Sequence, residues 1–391
     1  MSEGLRRGLA DLACRALLAT LPAAMQSWGW AIRHETAAIP DDTKALLFAL
    51  DSLFGLMPRA VASKILHLFA RLISNGAPFP GALTSANVSG EMVRRPRVMG
   101  IACATGAVLL GLSYMVVAGA PSRYLGVNAG ALFIGLTMLA LLGRTTQLGQ
   151  KWTSVAIMAM AGALLATALF GQAVDDTARW VSLGGLSIQP TLILLPLMIV
   201  AFARGRDTLA TAAIIVAAAA IALQPDRAMA GMLAASLAVL LSMRPDRHII
   251  AAFGASIASF AITLARADTL PAAAYVDQIL YSSFDVHVMA GAAVLGGSIL
   301  LLIPAILGWR SDPVNRETYA VFGAVWLTAV VAAALGNYPT PIVGYGGSAI
   351  IGYALSLLAL PKLSAKAATD ARKHVEADMA PLDRHLLVGQ A

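Results

Sequence analysis

From residue 98 to residue 361 the chain alternates between long apolar runs and short polar ones, and it does so ten times. The runs fall at 98–118, 124–143, 153–171, 189–203, 208–223, 228–243, 248–265, 287–308, 318–337 and 346–361. A helix needs about 20 predominantly apolar residues to cross the hydrocarbon core of a bilayer. With no water at that depth, each spanning segment must satisfy its own backbone N–H and C=O groups, which a helix does. The pattern therefore predicts an all-α fold, a polytopic membrane protein of about ten transmembrane helices. Small residues recur within the runs, as at 217–220 and between Gly291 and Gly297, and predict a bundle whose helices approach closely.

Residues 1–95 carry a different pattern. Asp41 and Asp42 after Pro40 mark a helix start, and 44–57 reads as a short amphipathic helix. Between Arg59 and Ile73, the side chains of Ile65, Leu66, Phe69 and Leu72 share one face against Lys64 and Arg71. These stretches predict a small amphipathic helical N-terminal region over 1–95, either packed on itself or lying on the membrane surface. The ten-span membrane domain follows over 96–361, and a polar tail over 362–391. The apolar stretch after Arg6 and Arg7 is broken by Asp11 and Arg15, which is too polar for the core of a cleaved signal peptide. The first long span is expected to do the targeting.

Composition supports the bilayer as solvent: 58% of the 391 residues are hydrophobic and 13% charged, against roughly 45–50% and 25% in a soluble domain. The net charge of +7 follows membrane topology and gives no reason to expect nucleic acid. Thirteen Lys and Arg residues, among them Arg94, Arg144, Arg204, Arg244, Arg310 and Lys362, fall on one side of the predicted bundle. Only four, Arg123, Arg179, Arg227 and Arg266, fall on the other. The positive-inside rule places the first side, and with it both termini, in the cytoplasm, so the expected location is the cytoplasmic (inner) membrane. Cys14 and Cys103 offer no disulfide framework, and the six histidines show no metal-binding spacing.

No predicted span carries Asp, Glu, Lys or Arg near its middle, which argues against ion-coupled transport, whose ionisable groups lie at that depth. The charged residues of the outer side collect in loops instead: Asp175, Asp176 and Arg179; Asp226 and Arg227; Arg266, Asp268, Asp277 and Asp285. Two of the loops, 178–190 and 336–348, are long and apolar enough to dip back into the protein, and non-helical backbone at that depth must be buried or line a wet cavity.

Three segments in order carry a resemblance. The first is Arg179-Trp180 followed by Gly184, Gly185 and Gln189-Pro190; the second is Gln224-Pro225-Asp226; the third runs from Pro339 through Tyr345-Gly346-Gly347-Ser348. Together they resemble the SEDS family (shape, elongation, division and sporulation; the FtsW, RodA and SpoVE type) over roughly 98–361. The resemblance implies a peptidoglycan glycosyltransferase that polymerises lipid II, or a related polyprenyl-diphosphate-linked saccharide, at the outer membrane face in cell division or cell-shape maintenance. It also implies membrane lipid and a class B penicillin-binding protein as partners.

By the same resemblance Asp285, followed by Leu295-Gly296, is the catalytic carboxylate. Arg179, Trp180, Gln189, Gln224, Asp226, Tyr345, Gly346, Gly347 and Ser348 are the expected substrate-binding residues. Such a reaction needs a base at the acceptor hydroxyl and positive charge at the departing diphosphate, where a divalent cation is compatible with the chemistry. The pair after Gln189-Pro190 is Thr191-Leu192 where the family usually has Ser-Glu. The departure motivates a second expectation, a non-catalytic scaffold or lipid-linked-precursor binder or flippase. On the residues alone, Asp285 reads equally well as the N-cap of the eighth span.

Overall fold

In the computed structural model the described residues are 3–21, 26–53, 96–145, 149–174, 177–184, 186–266 and 271–361. The expected helix over 59–73, the acids Asp175 and Asp176, Gly185 and the tail beyond residue 361 lie outside them. At the N-terminus, α1 (Glu3–Thr20) and α2 (Gln26–Ala38) pack together with the helical residues 42–53. The cores are small, Ala10, Ala13, Cys14 and Ala49 in one and Leu17 and Leu21 in the other. The expected helix start is present: Asp41 Oδ1 accepts the amides of Thr43 and Lys44 at 2.8 and 3.1 Å. Arg7 ties the unit across its loops by donating to the carbonyls of Ala37 and Ile39.

All ten apolar runs are helical. They are α3 (Pro96–Val117), α4 (Ser122–Thr145), α5 (Gln150–Phe170), α6 (Pro190–Arg204), α7 (Thr208–Leu223), α8 (Arg227–Met243) and α9 (Arg247–Leu264). A short α10 (Ile279–Val286) precedes α11 (Val288–Leu300) and α12 (Ile303–Ser311), two pieces of one span broken ahead of Pro304; α13 (Arg316–Leu335) and α14 (Gly347–Ser356) complete the set. Six spans are long and apolar enough to cross a membrane, and α6, α7, α8 and α14 are shorter apolar helices. Large apolar side chains stand open on the outside of the bundle, Phe170 at 85% and Leu335 at 83%, as lipid contact requires and water would penalise. The chain is an all-α polytopic membrane protein.

Several helices start at carboxylates that accept orphan amides. Asp207 holds Ala210 N, Asp226 holds Met229 N and Asp246 holds the amides of His248 and Ile249. The predicted close approach is present where small residues sit. A Cβ at Gly352 of α14 would fall on the backbone of α6, 3.1 Å from the Cα of Ile193. The main pairings set α5 on α7, α8 on α13 and α9, α3 on α11, and α14 on α4 and α6. Buried aromatic polar atoms find partners: Trp326 Nε1 donates to Ser356 Oγ at 3.3 Å and the Tyr353 hydroxyl to Leu301 O at 3.2 Å. At the arginine-rich end, Arg206 bridges Asp246 (3.1 Å) and Glu317 (3.5 Å), joining the α6–α7 and α8–α9 loops to the start of α13.

Two expectations about loops divide. Segment 178–190 does not dip into the protein; it belongs to a three-stranded antiparallel sheet of β1 (Gln172–Val174), β2 (Thr177–Leu183) and β3 (Leu186–Ile188). In β2, Thr177, Trp180 and Val181 favour an extended chain, and Gly184, at φ +57°, turns it back. Segment 336–348 does enter the bundle. Thr340 to Gly344 are buried, and Val343 lies where a Cβ on Gly111 of α3 or Gly297 of α11 would collide with it.

Candidate functional site

Five connections meet at the end of the bundle opposite the arginine-rich loops: α3–α4, the β-sheet, α7–α8, the stretch from α9 to α11, and α13–α14. The motif segments are hydrogen-bonded to one another there. Arg179, on β2, is 4% exposed; its Nε donates to Gln224 O at 3.0 Å and one terminal nitrogen to Pro225 O at 2.6 Å. The Gln224-Pro225-Asp226 turn presents those carbonyls because proline has no N–H and the helix α8 begins only afterwards.

Gln189, at the mouth of α6, donates from Nε2 to Asp226 Oδ2 at 2.9 Å, while its own amide donates to Ser348 Oγ at 3.0 Å. Thr191, at the position where the sequence departs from the family pattern, donates to Gln224 Oε1 at 3.1 Å. The first, second and third motifs thus form one connected polar layer, in which Asp226 Oδ1 also caps α8. Trp180, half-buried on β2, is paired with Gln172 of β1.

The re-entrant segment 339–346 is stitched down on its other side. Thr340 N donates to Val276 O (3.0 Å) and Tyr345 N to Tyr275 O (2.7 Å), and Asp277 bridges Pro339. Asn128, fully buried in α4, donates to Gly344 O at 2.8 Å and accepts from Gly346 N at 3.1 Å. Tyr345 stacks on Tyr124 (3.8 Å between centroids, 13° between planes), and Tyr275 meets Tyr124 edge-on at 6.1 Å. Gly347 opens α14 within reach of Ala131, which a Cβ would approach to 3.0 Å. Among positive-φ residues other than glycine, Tyr275, Gln278 and Ile342 all belong to this junction, and such backbone clusters at functional sites.

Asp285 lies near the end of α10 with its side chain exposed. It does not cap the eighth span. His287 does, its Nδ1 accepting Met289 N at 3.1 Å. The capping reading fails because α10 continues past the carboxylate to Val286 before the chain turns at His287. Asp285 is therefore an open carboxylate at the rim, while Asp277, eight residues earlier, is half-buried and its carboxyl is pushed above the ordinary range by desolvation.

Sequence reasoning missed Asn128, Tyr124, Tyr275 and Thr191. A lone Asn in an apolar span is the signal that was available, since in lipid such a side chain must find partners within the bundle. Among the described residues no three His, Cys, Asp or Glu side chains come together in a way that could hold a metal ion.

No family model and no curated protein sequence matches the chain. Among solved structures it is similar to the Thermus thermophilus rod shape determining protein RodA, at 19% sequence identity and a TM-score of 0.47, over 66% of this chain and 93% of that one. It is also similar to a single-residue mutant of the same protein, at 20% identity and a TM-score of 0.46, over 66% of this chain and 94% of that one.

Proposed function

We propose that the chain is a SEDS-like peptidoglycan glycosyltransferase. It polymerises lipid II, or a related polyprenyl-diphosphate-linked saccharide, at the outer face of the cytoplasmic membrane, in cell division or cell-shape maintenance and beside a class B penicillin-binding protein. The observation that carries this reading is the convergence of the ordered motifs. Residues 179–190, 224–226 and 339–348, far apart in sequence, share hydrogen bonds at one end of the bundle. The segment that leads to Asp285 is bonded to the last of them.

The roles follow from exposure and charge. Asp285 takes the proton from the acceptor hydroxyl, whose oxygen attacks the anomeric carbon of the donor sugar. The bond from that carbon to the diphosphate oxygen breaks, and the diphosphate leaves with the electron pair. Arg179 does two things in this reading: it holds the Gln224-Pro225 turn through its two carbonyl bonds, and its charge favours the dianionic leaving group from just beneath the polar layer. Purified protein, with and without the penicillin-binding partner, is expected to polymerise labelled lipid II, and Asp285→Ala to abolish the product at unchanged membrane abundance. Polymer formed equally by Asp285→Ala would remove the assigned base.

One observation favours a second reading, a non-catalytic scaffold or precursor binder. Asp226, Gln189 and Arg179 all spend polar atoms on internal bonds. In that case Asp285→Ala complements a deletion strain as well as wild type does.

A further inference from the structure

We infer that Asp277 is a positioning residue that makes the docking of the re-entrant loop 339–346 sensitive to protons. The carboxyl sits where the turn after α9 bridges Pro339. Its Oδ2 accepts Ala273 N at 2.8 Å, but its Oδ1 is buried and meets no donor. Most donors of the loop above it are committed elsewhere. Pro339 and Pro341 have no N–H. Thr340 N is used on Val276 O, Val343 N on Pro341 O, Gly344 N on Thr340 O, Tyr345 N on Tyr275 O and Gly346 N on Asn128.

Among the described residues no cation pairs with Asp277 either. Among the described residues the titratable or charged groups on the elements around the junction are Tyr114 on α3, Arg123 and Tyr124 on α4, Arg266 just after α9, Tyr275 on the turn, Tyr281 and Asp285 on α10, and Tyr338 and Tyr345 on the loop. Burial is the main influence on the carboxyl, opposed by the Ala273 amide, and no charge among the described residues enters. A buried carboxylate oxygen without a donor costs free energy, whereas the protonated carboxyl does not carry the charge.

The sign follows from linkage. The docked state holds the proton more tightly than an undocked state in which Asp277 is hydrated. Docking is therefore strongest below the hydrated pKa of about 3.9, and weakens as pH rises until the docked-state pKa is passed. Two further features mark the junction as poised. Ile342, β-branched, is held at φ +68°, and the buried Thr340 Oγ1 also lacks a protein partner. Because the loop carries Tyr345 to Ser348 into the polar layer, its release would open that layer. The inference concerns docking alone and does not depend on glycosyl transfer.

The test is hydrogen exchange of full-length protein in lipid nanodiscs between pH 4 and 8, corrected for intrinsic exchange, followed on peptides covering 338–348. Wild type is expected to lose protection with rising pH and then level off, by about tenfold for each unit separating docked and undocked pKa. Asp277→Asn, and independently Asp277→Ser, are expected to hold the acid-side protection at every pH, with α6 peptides unchanged in all three. A pH-independent wild type, or neutral variants that follow the wild-type profile, would overturn the inference.

Discussion

The seating of the re-entrant loop can be tested by one methyl group. Gly111 and Gly106 both lie in the interior of α3, so replacing either by Ala gains the same helix propensity, about 1 kcal/mol. Their surroundings differ. A Cβ at Gly111 would fall on the carbonyl oxygen of Val343, 2.7 Å from its Cα, whereas at Gly106 it meets only Leu300 Cδ1 at 3.1 Å. The first obstacle is backbone held by the junction's hydrogen bonds; the second is the tip of a flexible side chain. Overpacking against a fixed neighbour costs roughly 1–3 kcal/mol, so Gly111→Ala should lose up to about 2 kcal/mol net while Gly106→Ala is neutral or gains up to about 1 kcal/mol. Thermal unfolding in detergent compares the two. A cysteine at Val343, in a background lacking Cys14 and Cys103, adds a local readout, since Gly111→Ala should raise its reactivity and Gly106→Ala should not. Equal melting and equal reactivity would refute the buried placement of 339–346.

Two further outcomes follow from the site. Arg179→Lys should lose stability, because a point charge cannot make the paired contacts to the Gln224 and Pro225 carbonyls. Arg179→Ala should lose more, of order 1.5–3 kcal/mol for each charged hydrogen bond removed; membrane abundance and melting check this, and a Lys variant indistinguishable from wild type would reduce Arg179 to an interfacial anchor. Single cysteines at Gln278 and Tyr338 should react with an impermeant thiol reagent from outside and those at Arg206, Arg244 and Asp312 only after the membrane is opened; the reverse pattern would invert the proposed orientation.

Much of the fold was legible because the bilayer imposes it. The ten apolar runs are helical, six of them long and apolar enough to cross a membrane, and three start at the capping carboxylates Asp207, Asp226 and Asp246. The sheet was not legible, since three short strands in a loop leave no period longer than a few residues. Arg179 stands in the sequence as an expected substrate-binding residue, and only the turn at Gln224-Pro225, 45 residues away, supplies the carbonyls that draw it inward. Asp285 reads equally well as a cap or a reactive group. The structure removes the cap because the chain continues as helix to Val286 and gives that duty to His287. The special position of Asp277 depends on which amides its neighbours leave unused, a count no linear pattern contains.

The central claim, that the motif end is where a lipid-linked saccharide binds, is tested most directly by photocrosslinking. Protein in nanodiscs would be irradiated with a polyprenyl-diphosphate saccharide bearing a photoreactive group near the sugar, and the adducts mapped by mass spectrometry. The account predicts adducts in 186–192, 224–230, 275–289 and 338–348 that disappear on addition of unlabelled substrate. Adducts confined to the arginine-rich end or to residues 1–53, or adducts that unlabelled substrate fails to displace, would contradict it.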